Sequence, residues 1–347
     1  MAGYLMTALK TLPADATRLD GGTGFVGPDV PIDLLMATGR PFGHLPWNIR
    51  PTPWADRWLE SAFPYWARSI VEQWHEGRFD AVAQVVFSRS DDVSQRLYYY
   101  VRELQRRGKL GGPEALVLDI ALIPRASSLQ HTVAALGDCA ASLSIDRATI
   151  GTAIRRGNEL RRTLVRIDAA RVSNGPDYEQ LARSALYSDA SGWIDSVRVP
   201  QGPPRPRVLL VGSVPPDERL HVAAEEGGAS IVAELHVSAL TRSGDPLEFH
   251  VGDELAALAR HLVATSIGPR SFVDRTRLLQ ARVRSASVGG VILWQTREEE
   301  GLTWHVPSQR RALEAMGIPA LVMAGRDWRA EDGARESITT FCKELTR

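Results

Sequence analysis

Two acidic stretches, each placed after an apolar run, carry the groups best suited to moving protons. Ser88-Arg-Ser-Asp-Asp92 comes directly after Ala81–Phe87, and Glu298, Glu299 and Glu300 come soon after Gly290–Trp294. His44 stands between Arg40-Pro-Phe-Gly43 and Leu45-Pro-Trp47, and His305 between Trp304 and Val306. A carboxylate working with a histidine can remove an α-proton or protonate a leaving hydroxyl. Clustered carboxylates also suit a hard cation such as Mg²⁺. Plainer readings stand beside these. Asp91 and Asp92 suit the cap of a helix beginning near Val93, the glutamates suit a solvated loop, and a lone histidine suits a structural role.

Gly212-Ser-Val-Pro-Pro-Asp-Glu-Arg219 is a further candidate. It leads from an apolar run into a helical pattern, a geometry that offers backbone N–H groups to an anion. Its prolines remove donors and it does not read GxGxxG, so no dinucleotide signature is present. Arg219 remains as a candidate phosphate contact. Trp47, Trp54, Trp58, Tyr65, Trp66 and Trp74, with Tyr98, Tyr99 and Tyr100, form dense aromatic stretches. Core packing accounts for most of them; an aromatic-lined pocket or a subunit interface suits the rest.

The elements that must position these groups follow from the apolar pattern. Ala81–Phe87 and Ala115–Ile123 read as buried parallel strands, with a helix over Val93–Arg107 that places Leu97, Val101 and Leu104 on one face. Val197–Arg207 holds four prolines and a glycine and reads as a linker. Beyond it come strands at Arg207–Gly212, Ser230–Glu234, Gly290–Trp294 and Ile318–Met323, and helices at Glu218–Glu226 and Gln309–Met316. The expectation is an α/β fold of two doubly wound, mostly parallel-sheet domains. An N-terminal domain spans 1–142, a helical connecting region 143–200 and a C-terminal domain 201–347. Ligands in such sheets sit at the carboxyl ends of the strands, which is where both acidic stretches fall.

Composition narrows the class. With 41 Lys+Arg against 41 Asp+Glu, the 347-residue chain lacks the basic footprint of a nucleic-acid binder. No apolar run reaches membrane-spanning length and no signal peptide is evident, so a cytoplasmic location is expected. Cys139 and Cys342 stand alone, without the spacing of a zinc site or a disulfide framework.

Taken in order, Pro31–Pro41, Ser88–Tyr98, Leu143–Arg161, Val208–Asp217, Glu225–Glu234, Gly290–Ile292 and Ala315–Leu321 resemble the 2-hydroxyacyl-CoA dehydratase D-component family, which includes benzoyl-CoA reductase subunits. The resemblance implies paired, homologous subunits acting on acyl-CoA thioesters. It also implies a [4Fe–4S] cluster held by three cysteines and reduced by an ATP-dependent activator. At the matching positions this chain has Phe63, Ser90, and Glu298 or Glu299. Such clusters are held by thiolates, while serine and glutamate are hard oxygen donors and phenylalanine donates nothing. The expectation is therefore no cluster of its own and no bound metal; the partner is a homologous subunit in a hetero- or homodimer, and a cluster-bearing relative as partner would supply the [4Fe–4S] cluster. Ser90, Asp91, Glu299 and His44 are the candidate catalytic residues, and Ser88, Arg89 and Arg219 the candidate substrate contacts. Three readings follow: a cluster-free subunit beside a cysteine-bearing relative, an acid–base hydro-lyase on a CoA thioester, and a scaffold that kept only the fold.

Overall fold

A computed structural model describes residues 19–121, 123–169, 176, 205–242, 245–266 and 272–346. In the first half β1 (Thr23–Val26), β2 (Phe42–His44), β3 (Gln84–Ser88) and β4 (Glu114–Leu118) form a parallel sheet in the order β2-β1-β3-β4. In the second, β5 (Arg207–Gly212), β6 (Ser230–His236), β7 (Gly290–Thr296) and β8 (Ala320–Arg326) repeat it as β6-β5-β7-β8. The same order in both halves is the doubly wound arrangement, with the direction of winding reversing beside the first strand of each.

Helices cover the sheets. They are α1 (Ile32–Met36), α2 (Tyr65–His75), α3 (Asp92–Arg106), α4 (Ala126–Ser142), α5 (Arg147–Ala169), α6 (Arg219–Glu226), α7 (Val237–Arg242), α8 (Glu254–Thr265), α9 (Arg275–Ala286), α10 (Glu300–Thr303), α11 (Val306–Ala315) and α12 (Ala334–Leu345). The reasons are local. Val85, Val86 and Phe87 are fully buried in β3, and α3 turns Leu97, Val101 and Leu104 onto that sheet. α6 stops at Gly227, and Gly228 takes the left-handed φ of 88° that a side chain would resist. Asp146 caps α5: its Oδ1 accepts from Ala148 N at 3.0 Å.

The first part of the expected connecting region is α5, which packs into the first core through Ile150, Ile154, Leu160 and Leu164 and also touches α9 of the second half. Residues 170–175 and 177–200 of that region, and most of the expected linker, lie outside the described residues. The chain after β6 packs against the first half. Leu247, Leu258 and Leu262 join Phe25, Leu34 and Leu136 in the first core, so 245–266 returns to the first sheet before α9 resumes the second.

Polar side chains fasten that return. Asn158 Oδ1 accepts from Leu247 N at 2.7 Å and its Nδ2 donates to Leu247 O at 2.8 Å. Arg161 of α5 forms a two-pronged ion pair with Asp33 of α1, at 2.9 and 2.6 Å. Both side chains are almost fully buried. Among the described residues no helix is long and apolar enough to cross a membrane.

Candidate functional site

In sheets of this order a ligand crevice opens where the winding reverses, beyond the carboxyl ends of the first and third strands. Here there are two such places, and one cavity of about 240 Å³ is lined from both. The first half supplies Gly27 and Pro28 after β1, His44 at the end of β2, and Asp91–Ser94 after β3. The second half supplies Val214 after β5, Val237 and Ser238 after β6, and Glu298, Glu299, Gly301 and Leu302 after β7. Phe25, Trp47 and Trp66 complete an otherwise apolar wall.

Asp91 is both a cap and a cavity group. Its backbone is extended, and Oδ1 accepts from Ser94 N at 2.9 Å, which satisfies one of the free N–H groups at the start of α3. Oδ2 is buried and has no hydrogen-bond partner. Burial pushes the carboxyl up; hydrogen bonds from Ser94 oppose this and the charge of Asp29 adds to it. Gly27 makes the approach possible. Its φ is +93°, and a Cβ there would lie 2.9 Å from Asp91 Oδ2 and 2.2 Å from Ser94 Oγ.

Glu299 faces this group from the other half, at the start of α10. Burial is the main force on its carboxyl, pushing it up to about 7. A hydrogen bond from Ser213 and the charge of Arg275 oppose that rise, while the negative charges of Asp91 and Glu298 add to it. Ser213 is held for this task by β7: its N donates to Trp294 O at 2.8 Å, and Thr296 N donates to its Oγ at 3.0 Å. Glu298 also lines the cavity, and its Oε2 is buried without a hydrogen-bond partner. The site therefore holds carboxyls from both halves that repel one another, and Glu299, pushed up to about 7, can carry a proton near neutral pH.

His44 lines the same cavity, with both ring nitrogens engaged. Nδ1 donates to Leu45 O at 2.8 Å, which leaves Nε2 to accept from Gly27 N at 3.4 Å. The ring stands edge-on to Phe25 and to Trp47. This arrangement positions the end of β1 and the aromatic wall, and does not leave the imidazole poised as a base. Trp47 in turn donates from Nε1 to Pro216 O at 3.0 Å, a bond that links the halves beside the cavity.

The remaining expected residues fall elsewhere. Ser90 is fully buried and does not line the cavity: Ser88 Oγ lies 2.7 Å from its hydroxyl, which donates to Pro28 O at 3.2 Å. Ser88 and Ser90 thus tie the end of β3 to the end of β1. Arg89 pairs with Asp119. Arg219 is held by Asp217 at 2.7 and 2.8 Å and donates to Arg329 O, beside a separate groove between α6 and α12. Phe63 is packed in the core, with the Tyr100 ring edge-on at 5.3 Å and the Arg96 guanidinium 4.6 Å over its face. Trp66, in the first turn of α2, is the residue of that segment that reaches the cavity.

The thiols are remote from the site. Cys139 of α4 lies in the first core and Cys342 of α12 in the second, and burial pushes both up to about 12. Neither lines the cavity. Among the described residues no three His, Cys, Asp or Glu side chains are grouped as metal ligands. The sequence reading missed one buried polar group. His221 Nε2 and His236 Nε2 flank the Glu234 carboxylate at 3.1 and 3.2 Å. Although burial works against it, the two histidines hold that carboxyl well below its ordinary range. Its one signal was a glutamate and a histidine two residues apart at the end of an otherwise apolar strand.

The family model described as 2-hydroxyglutaryl-CoA dehydratase, D-component, matches residues 29–339 of the chain. No curated protein matches it.

Proposed function

The chain belongs to the 2-hydroxyglutaryl-CoA dehydratase D-component family, and on that premise we propose that it is a dehydratase-like subunit acting on a CoA thioester without an iron–sulfur cluster of its own. The acyl end of the thioester occupies the cavity between the two sheets, and a related, cysteine-bearing subunit supplies the redox centre. The observation that carries this reading is the donor set at the cavity. Asp91, Glu298 and Glu299 are oxygen donors, and the two thiols of the chain are buried in the cores. A [4Fe–4S] cluster needs thiolates, so the residues present do not fit that group. The volume of about 240 Å³ is below the roughly 300–1,000 Å³ of sites that engulf drug-sized ligands. It suits an acyl group, with the nucleotide portion of CoA left outside.

A second reading is favoured by the pairing of Asp91 and Glu299. Protonated Glu299 can deliver its proton to a hydroxyl that leaves as water, while an ionised Asp91 takes the proton from the neighbouring carbon. The net result is loss of water with one proton moved from Glu299 to Asp91. This reading makes the chain a hydro-lyase by itself.

Both readings place an acyl thioester against Trp47 and Trp66. Acyl-CoA is therefore expected to change the tryptophan emission of the full-length chain saturably, with free CoA much less effective. In Trp66→Phe a measurable part of that change should disappear. No difference between acyl-CoA and CoA, for the chain alone and with its partner, would overturn the placement.

A further inference from the structure

The charges around the cavity are of one sign. Asp91, Asp92, Glu298 and Glu299 line it, and among the described residues no Arg or Lys does. Asp91 is 6% exposed, and its Oδ2 is buried without a hydrogen-bond partner. Arg275, whose charge Glu299 feels, lines an adjoining pocket of about 30 Å³ with Gln295, His305 and Gln309, which shares Val237 and Leu302 with the cavity. Phe25, Trp47, Trp66, Val93, Val214 and Leu302 make up much of the rest of the wall, with His44, Ser94 and Ser238 as its remaining polar side chains.

We propose that this cavity selects an uncharged, apolar acyl group and turns away acyl chains that carry a second carboxylate. This rests on the reading above, in which the acyl end of a CoA thioester fills the cavity. The reasoning is Coulombic first. A distal carboxylate placed among Asp91, Glu298 and Glu299 would meet like charges in a partly dehydrated space without a cation in the wall. Like charges within several ångströms at an intermediate dielectric repel by more than a factor of ten in affinity. It is hydrophobic second. The rings and branched side chains gain from covering apolar surface, and an aliphatic or aryl chain supplies it. A bidentate arginine, the usual partner for a substrate carboxylate, does not line this wall.

The test is calorimetric titration of the full-length protein at pH 8 with 2-hydroxyhexanoyl-CoA, 2-hydroxyglutaryl-CoA and free CoA. The first two acyl chains are of similar length and differ in their far ends. The expected result is binding of the hexanoyl thioester at least about tenfold tighter than the glutaryl thioester. Glu298→Gln should narrow the gap by strengthening glutaryl binding relative to hexanoyl binding. Equal affinities, or a preference for the glutaryl thioester, overturn the inference while the acyl-site reading stands. If both thioesters bind no better than free CoA, or nothing binds, the acyl-site reading fails and the inference fails with it.

Discussion

Arg161→Ala should destabilise the protein by about 3–5 kcal/mol, because it strands the Asp33 carboxylate in the first core. Asp33 and Arg161 are 1% and 7% exposed at their side chains, and the ion pair joins α1 to α5. Asp33 has no solvent to turn to once its partner is gone, and Arg161 Nη1 also bonds Asn158 Oδ1, the atom that receives Leu247 N. The loss should therefore loosen the docking of 245–266 as well as α1. A paired replacement, Asp33→Leu with Arg161→Met, should recover most of the loss, since a buried pair is dispensable when both charges leave together. Urea unfolding of the wild type, the single and the double variant reads this directly. A single variant within about 1 kcal/mol of wild type would show that the pair is hydrated and carries little.

The second large effect is the pH dependence set by Glu299. Its carboxyl is pushed up to about 7 from an ordinary 4.5. Between those values the folded chain holds a proton that the unfolded chain has released, so stability falls as pH rises through that window. The stabilising contribution is complete below about 4.5 and is lost above about 7. Discounted for the partial exposure that Glu299 keeps toward the cavity, the change amounts to about 2 kcal/mol. Glu299→Gln should match the wild type near pH 5 and exceed it by about 2 kcal/mol at pH 8. His261 and His305, both held low chiefly by burial, slope the other way in both proteins, so the difference between the two curves isolates Glu299. Equal stabilities at pH 5 and at pH 8 would show that Glu299 is solvated and carries no excess proton at the cavity.

Much of this site was legible in the chain because its residues follow strands that announce themselves. Val85–Phe87 and Val208–Val211 are unbroken apolar runs, and the acidic residues that follow β3 and β7 fall where such sheets present their ligands. Asp91 turned out to be cap and cavity group at once: one carboxylate oxygen satisfies the helix and the other is left over. What was not legible has physical causes. β1 and β2 are four and three residues long and include glycine and histidine, too short and too polar to stand out by pattern. Ser90 and Asp91 are neighbours in the bend after β3, yet Ser90 bonds Ser88 and Pro28 while Asp91 caps α3 and lines the cavity. A position assigned by resemblance to one lands the chemistry on the other. Phe63 precedes α2 and Trp66 lies in its first turn, and only packing decides which of them reaches the cavity. The return of 245–266 to the first sheet leaves no mark on the sequence, since an amphipathic helix does not name the sheet it covers.

The proposed function stands on the absence of a thiol at the place where two sheets meet, and iron is the direct measure of it. Protein purified without oxygen should carry no iron or acid-labile sulfide above background when expressed alone. Co-expressed with a cysteine-bearing relative, it should elute with iron that belongs to the partner. About four irons and four sulfides per chain in the isolated protein, the content of one [4Fe–4S] cluster, would contradict the account and restore a cluster to this chain.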